Sequence, residues 1–295
     1  MVPGSPLGSG NLGRNGAEKM RQIWLLIVAA VMPAFGNELF SLPTPADSFG
    51  LLGGSVSNTG TSVVTGNVGS TSTIVGFDPP GTATGFVCTP TGGPLGCTSG
   101  QESEVTQAYG QIYNDGGAFD TGLGLGSTQS LAGLSTSTTF LGNNVYTALS
   151  SVSSTTGINL TFNAQGDPTE IFVIQIKGDL TVNGAMTFTL SNGAQATNIF
   201  WIVEDAATIS PGSSGPIVFD GDILAGTSFT MSAGTGALSG TVNGCVFAET
   251  ANTLAAQTII NGCAGTNSTV PEPASAGLVS LGGVLGILAW RRRRS

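Results

Sequence analysis

Pairs of neighbouring carboxylates are the residues with the clearest capacity for chemistry. The candidate pairs are Asp220 with Asp222 and Glu204 with Asp205. Two acids at positions i and i+2 lie on one side of a strand and could act as acid and base on a glycosidic bond. A lyase would also need a cationic base or a metal cluster, and Lys177 is the only cation between residues 37 and 270. A turn or a weak calcium contact explains these acids better, so we expect no enzyme, no catalytic residue, no cofactor and no metal site.

Histidine is absent, and cysteine is the other chemically informative residue. Without histidine, Ser-His and Cys-His nucleophilic systems and histidine-bearing zinc sites are excluded. The four cysteines form two close pairs, Cys88 with Cys97 and Cys245 with Cys263, and neither pair has metal-ligand spacing. In an exported chain we expect these pairs to be local disulfides.

The central part of the chain is acidic and rich in glycine. Between residues 37 and 270 one lysine stands against fifteen acids, which gives a formal charge of −14. Such a surface does not attract nucleic acid or anionic lipid, and we expect it to stay soluble and monomeric. Charged residues make up only 8% of the whole chain while glycine occurs 46 times, which favours an all-β chain over a helical bundle.

A repeat between residues 156 and 255 should position the polar residues of interest. Its five segments are 157–161, 179–183, 206–210, 228–232 and 251–255, and their central polar residues step by 22, 27, 22 and 23 positions. A period in the twenties is typical of a solenoid, in which each coil buries its apolar side by stacking on its neighbours. Each segment alternates, so we expect one flat outward face with rungs about 4.8 Å apart. The outward residues predicted in this way are Asn159, Thr161, Thr181, Asn183, Thr208, Ser210, Thr230, Ser232 and Thr253.

Two interpretations of this polar face stay open. Threonine is a good strand former and fills exposed solenoid positions at little cost. Alternatively, a rigid array of hydroxyls, methyls and amides binds a regular ligand surface, because a stiff β-branched side chain loses little entropy on binding. That chemistry suits ordered water, meaning ice, or a polysaccharide.

The other segments are predicted to complete the coils. Residues 55–61 and 63–69 are typical of first coils with tight turns. A capping box over 99–102 and apolar residues at helical spacing predict one amphipathic helix along a flank, ended by 114–117. Further apolar strands are expected at 171–176, 199–203, 217–219, 223–225 and 246–248.

Both ends of the chain have the pattern of processing signals. Residues 1–36 are interpreted as an extension and a secretory signal peptide, with a short apolar run at 23–31 and cleavage after Gly36. The tail contains Val270, Pro271, Glu272 and Pro273, an apolar stretch over 274–290 just long enough to span a bilayer, and four arginines at 291–294.

This tail resembles the PEP-type C-terminal sorting signal of Gram-negative bacteria. The resemblance implies transient anchoring in the inner membrane, cleavage near the motif by an exosortase-type transpeptidase, and delivery to the exterior or the cell surface, often into an exopolysaccharide matrix.

The body resembles the microbial ice-binding protein family over about residues 48–262. The matching stretches are 57–60, 64–69, 163–168 leading into 171–176, 192–194, 198–201 and 222–225. The resemblance implies a discontinuous right-handed β-solenoid of triangular cross-section with one long α-helix packed alongside. The family motif Thr-Ala/Gly-x-Thr/Asn adds Thr156, Thr227 and Thr250 to the predicted ice-binding residues.

These observations predict three regions and one activity. Residues 1–36 are the extension and signal peptide, 48–264 the β-solenoid domain, and 265–295 the linker, sorting motif, membrane segment and basic tail. The expected activity is ice binding through the polar face, with inhibition of recrystallisation. A non-catalytic matrix or adhesion protein that binds exopolysaccharide is the alternative.

Overall fold

The computed structural model describes residues 40–126, 129–154, 157–184, 186–211, 215–233, 238–255 and 257–263. The predicted signal peptide and the predicted span at 274–290 therefore lie outside the described residues. Within the described ranges, the helices are all too short or too polar to cross a membrane.

After a short 3-10 helix at Ala46–Ser48, the chain forms five strands followed by two α-helices. The strands are β1 (Phe49–Asn58), β2 (Val63–Val64), β3 (Asn67–Val75), β4 (Thr82–Ala83) and β5 (Val87–Cys88). The helices are α1 (Ser99–Tyr113) and α2 (Ala118–Leu123).

The later elements are short strands that recur in groups of two or three. They are β6 (Gln129–Ser130), β7 (Thr138–Leu141), β8 (Asn144–Ala148), β9 (Val152–Ser153), β10 (Ile158–Asn163), β11 (Phe172–Ile176), β12 (Leu180–Asn183), β13 (Met186–Ser191), β14 (Ile199–Val203), β15 (Ala207–Ser210), β16 (Ile217–Asp220), β17 (Asp222–Ala225), β18 (Ser228–Met231), β19 (Leu238–Asn243), β20 (Val246–Leu254) and β21 (Gln257–Ile260).

All these strands pair in parallel and form three faces. The helix-side face follows the order β6-β8-β11-β14-β17-β20, and a second face, which we call the candidate face, follows β9-β12-β15-β18-β20. Strand β20 is long enough to contribute to both, so these two faces belong to one sheet. The third face consists of a three-stranded sheet, β13-β10-β7, and a five-stranded sheet, β16-β19-β21-β2-β4. This arrangement confirms the predicted β-solenoid.

The stack is discontinuous in sequence. Strand β1 pairs with β20 on one side and with β3 on the other, so the first coils stack on the last one. A register shift between Gly53 and Ser55 bends β1 where the helix-side face meets the candidate face. At this corner the buried Asn252 amide donates to the Leu52 carbonyl at 2.8 Å and so joins the last coil to the first.

Two hydrophobic cores stabilise the described part of the chain. The inner core fills the solenoid and includes Phe162, Trp201 and Phe219, all fully buried. The second core lies between the outer side of the helix-side face and helix α1, which buries Val105, Ala108 and Ile112. This confirms the predicted flanking helix, although its capping box begins one residue earlier, at Thr98 with Gln101.

The predicted cysteine pairs are both disulfides. Cys88 is bonded to Cys97, and Cys245 is bonded to Cys263. The second disulfide joins the start of the β20 coil to the last described residue.

Candidate functional site

Four of the predicted threonines stand in one row across the candidate face. Thr181, Thr208, Thr230 and Thr253 are direct partners on successive parallel strands. The row continues beyond both ends of this set, with Ser153 paired to Thr181 and Ser57 paired to Thr253. Six consecutive rungs thus each present one hydroxyl side chain on the same line.

The threonine row lies on a layer of buried side chains. Each of its threonines is half-buried, while the residues on either side along the strand point inward and are fully buried, as are Leu180, Val182 and Phe229. In the described part of the chain, the hydroxyls of the four threonines form no hydrogen bond. The backbone is fixed by the ladder and the β-branched side chain by its χ1 preference, so the hydroxyls are held in position and free to meet an external partner.

A shorter second row runs beside the first. Asn183 pairs with Ser210. Ser232 follows the end of β18, and its main-chain N–H donates to the Ile209 carbonyl at 2.9 Å, so it continues the row by one rung. The second row is therefore half the length of the first.

Thr227 and Thr250 lie at the corner of the solenoid, outside the rows. The Thr250 N–H donates to the Thr227 carbonyl at 2.7 Å, and both side chains are exposed. Acidic residues occupy the same corner, where the Asp179 carboxylate accepts a hydrogen bond from the Ala206 N–H at 3.1 Å. The charge is therefore at the border of the candidate face rather than in its threonine row.

The predicted stacking of Asn159 on Thr181 and of Thr161 on Asn183 is wrong. Both residues lie on β10, which pairs with β7 and β13 in the third face, where Thr161 is the partner of Thr139 and Thr189. Strand β9 takes the predicted place beside β12. The reason is coil length, because Thr181 follows its true partner Ser153 by 28 positions, and a step of 22 does not complete this coil. The predicted residue Thr156 lies outside the described residues.

Sequence reasoning missed Ser57 and Ser153. Ser57 reaches the row through the pairing of the first coil with the last, which no local pattern reveals. Ser153 lies on a two-residue strand, too short for alternation to be recognised.

The acids considered for catalysis do not form a pair. Gly221, with φ of +116°, turns the chain between Asp220 on β16 and Asp222 on β17, so the two carboxylates belong to different sheets. Asp220 accepts from the Asn243 amide at 2.6 Å, and Asp222 accepts from the Cys245 N–H at 2.8 Å. Burial raises the pKa of Asp222 to about 8, and with 1% of its surface exposed it cannot reach a substrate. The sulfurs nearest to it are bonded to each other and are not thiolate ligands for a metal.

Comparison with known proteins gives a consistent result. The sequence model of a family described as Ice-binding-like matches residues 51–260, and a PEP-CTERM protein-sorting motif matches residues 269–294. An ice-binding protein from Nostoc sp. (strain HG1) is 33% identical over 290 residues, which cover 93% of this chain and 97% of that relative. One from Colwellia sp is 35% identical over 209 residues, covering 67% of this chain and 74% of the relative.

Solved structures agree with the sequence relatives. The crystal structure of an ice-binding protein from the Antarctic ascomycete Antarctomyces psychrotrophicus is 32% identical and superimposes with a TM-score of 0.60, covering 76% of this chain and 97% of that one. A second crystal structure, of an ice-binding protein from an Antarctic biological consortium, is 26% identical with a TM-score of 0.59, covering 78% of this chain and 95% of that one.

Proposed function

The chain belongs to the Ice-binding-like family, and from this premise we propose that it is an exported, non-catalytic protein that adsorbs to ice through the candidate face. The observation that carries the proposal is the row of Thr181, Thr208, Thr230 and Thr253, one residue per rung and in direct register.

The chemistry of the row suits a neutral, regular lattice. Each threonine offers a methyl group and a hydroxyl, and parallel strands repeat this pair every 4.8 Å or so. Because the side chains are stiff, little rotamer entropy is lost when water is ordered against them, and many weak contacts can add up. The row carries no charged side chain, so no strongly held hydration shell has to be displaced there. Adsorption makes and breaks no covalent bond, so this function needs no catalytic residue.

The sorting tail supports the proposal that the protein is exported. The matched sorting motif at 269–294 supports recognition by an exosortase-type machinery and delivery to the surface or exterior of a Gram-negative cell. We assign residues 1–36 to an extension and signal peptide, 48–264 to the ice-binding domain and 265–295 to the sorting tail, and we expect the exported protein to be monomeric.

A matrix or adhesion protein that binds exopolysaccharide is the second candidate. The sorting motif favours it, because such signals are suited to placing a protein in the material outside the cell. Ice adsorption and a place in the matrix are compatible, and the experiment below tests the first on its own.

The test is an ice-recrystallisation assay at micromolar protein, comparing the wild type with a variant that carries Thr208→Tyr and Thr230→Tyr. Two aromatic rings in the middle of the row hold the lattice away from the flanking threonines, so we expect the wild type to inhibit crystal growth and the variant to lose inhibition. Both sites are half-buried and outward-facing, so the fold should be retained.

Thr161→Tyr is the matched control. Thr161 is also half-buried and outward-facing on a parallel strand, but it lies on the third face. Its replacement should leave inhibition unchanged. Loss of inhibition in the control together with retention in the double variant would indicate that the third face binds ice. An inactive wild type would contradict the proposal of ice binding.

A further inference from the structure

A groove lies where helix α1 meets the corner between the helix-side face and the candidate face. It has a volume of about 530 Å³ and is lined by residues from four successive rungs together with one side chain of the helix: Gly54, Ser55, Ser72, Tyr109, Gly226, Thr227, Glu249 and Thr250. The groove is wide open to solvent.

The aromatic wall of the groove is fixed in place. The Tyr109 hydroxyl donates to the Glu249 carbonyl oxygen at 2.8 Å, and its ring packs against the ring of Tyr113 at a centroid distance of 5.2 Å. Tyr113 is itself anchored, since its hydroxyl donates to the Ala225 carbonyl at 3.0 Å. The half-buried Tyr109 ring therefore offers a groove ligand an apolar surface of defined orientation.

Hydroxyl groups make up most of the polar lining. Thr227, Thr250 and Ser72 are exposed, and Ser55 donates to the Thr250 carbonyl at 3.3 Å. Within the described ranges, the side-chain hydroxyls of Thr227 and Thr250 have no hydrogen-bond partner. Each can donate one hydrogen bond and accept two, which matches a ligand that is itself rich in hydroxyls.

The charge of the groove lining argues against an anionic ligand. Glu249 is exposed and is the only ionisable acid in the lining. Lys177 is the single cation in the described ranges, and its ammonium group donates to the Leu123 carbonyl at 2.9 Å, away from the groove lining. An anionic polymer would meet a carboxylate with no compensating cation, so the groove disfavours it.

We propose that this groove binds a neutral polysaccharide, with the apolar face of one pyranose ring stacked on Tyr109 and the sugar hydroxyls bonded to Thr227, Thr250 and Glu249. The site gives a role to Thr227 and Thr250, which lie outside the threonine row. It is separate from the proposed ice site, because the aromatic ring and the carboxylate have no part in the flat face.

The test is affinity electrophoresis of the purified protein in native gels that contain a soluble polysaccharide. The neutral probes are dextran, hydroxyethyl cellulose and galactomannan, and alginate is the anionic probe. At least one neutral polymer should retard the wild type, and alginate should not. Tyr109→Leu should weaken the apparent affinity about ten-fold, because the stacking surface is lost.

Tyr109→Phe is the matched control, since it keeps the ring and removes only the hydroxyl, and its retardation should stay within about two-fold of the wild type. Ser72→Trp provides a second route, because Ser72 is exposed and a large side chain there fills the groove without touching either core. Both Tyr109→Leu and Ser72→Trp should retain ice-recrystallisation inhibition. Because retardation in the gel is measured without ice, a failure of the ice proposal would leave this test unaffected. Mobility unaffected by every neutral polymer, retardation by alginate alone, or equal retardation of the wild type and both groove variants would overturn the proposal.

Discussion

The ammonium group of Lys177 donates a hydrogen bond to the Leu123 carbonyl at 2.9 Å, at the last residue of α2. Two residues earlier on the same chain, the buried Gln175 amide donates to the carbonyls of Gly122 and Leu125. The end of a helix leaves its last carbonyls without helical partners, and here two side chains of the helix-side face supply the donors. The lone lysine of the central region is thus used to fasten a helix.

This relationship predicts that Gln175→Met destabilises the protein more than Lys177→Met does. The first change removes one donor each from the buried Gly122 carbonyl and the half-buried Leu125 carbonyl, and it removes the acceptor of the buried Thr147 hydroxyl. It should cost about 1–3 kcal/mol, while replacing the half-buried lysine should cost about 1 kcal/mol. Urea unfolding of both variants checks the order. Glu204→Gln is the control, because Glu204 is exposed and directly follows β14, and its free energy of unfolding should match that of the wild type.

Asp222 predicts a pH dependence of stability. Burial raises its pKa to about 8, whereas the unfolded chain has the ordinary value of 3.8. Between these values the folded state keeps the proton and the unfolded state does not, so this group makes the free energy of unfolding fall as pH rises from 4 to 8. Asp222→Asn keeps an acceptor for the Cys245 N–H and removes the titration.

The measurement is the melting temperature of wild type and Asp222→Asn at pH 5 and pH 8. The advantage of the variant should grow with pH, and the comparison cancels the contribution of the other acids. A constant difference between the two proteins would show that Asp222 does not titrate in this range.

The disulfides should matter for stability and not for the activity at the candidate face. Cys245 and Cys263 are 18 positions apart, and closing a loop of that length stabilises a fold by about 3 kcal/mol. Replacing both by alanine should lower the melting temperature while recrystallisation inhibition per folded molecule is unchanged. The pair Cys88 and Cys97 closes a loop of 9 and should contribute somewhat less. Equal melting with and without a reducing agent would contradict this prediction.

The contribution of Ser57 distinguishes the observed row from the one expected from sequence. Ser57 pairs with Thr253 on the candidate face, while Asn159 pairs with Thr187 on the third face. Ser57→Tyr should therefore reduce recrystallisation inhibition, and Asn159→Tyr should not. Ice-recrystallisation assays at matched concentration decide between them, and the reverse result would restore the stacking expected from the repeat.

The sequence was sufficient for those features that depend on neighbouring residues. Alternation identified Thr181, Thr208, Thr230 and Thr253, because successive coils there differ little in length and each strand buries one side. The helix was recognisable from its capping box and apolar spacing for the same local reason.

Features that depend on how the chain runs from one coil to the next could not be predicted from the sequence. Thr161 has the same alternating pattern as Thr181, and only the length of the coil decides which face it joins. Asn252 interrupts an apolar column for a reason visible only in three dimensions, since its amide serves the Leu52 carbonyl at a bend in a distant strand. Local patterns specify a strand, and its neighbour is chosen by loops that carry no such pattern.

The pairing of β1 with β20 also determines the order in which the coils can assemble. The contact between Asn252 and Leu52 spans 200 positions of sequence. During synthesis the first coils emerge early, yet the edge of β1 that β20 will occupy stays unpaired until nearly the whole chain has been made. A high contact order of this kind slows folding, and it makes the last coil the step that closes the assembly. Incomplete chains, in which the edge of β1 is still unpaired, are therefore the form of this protein most prone to aggregate.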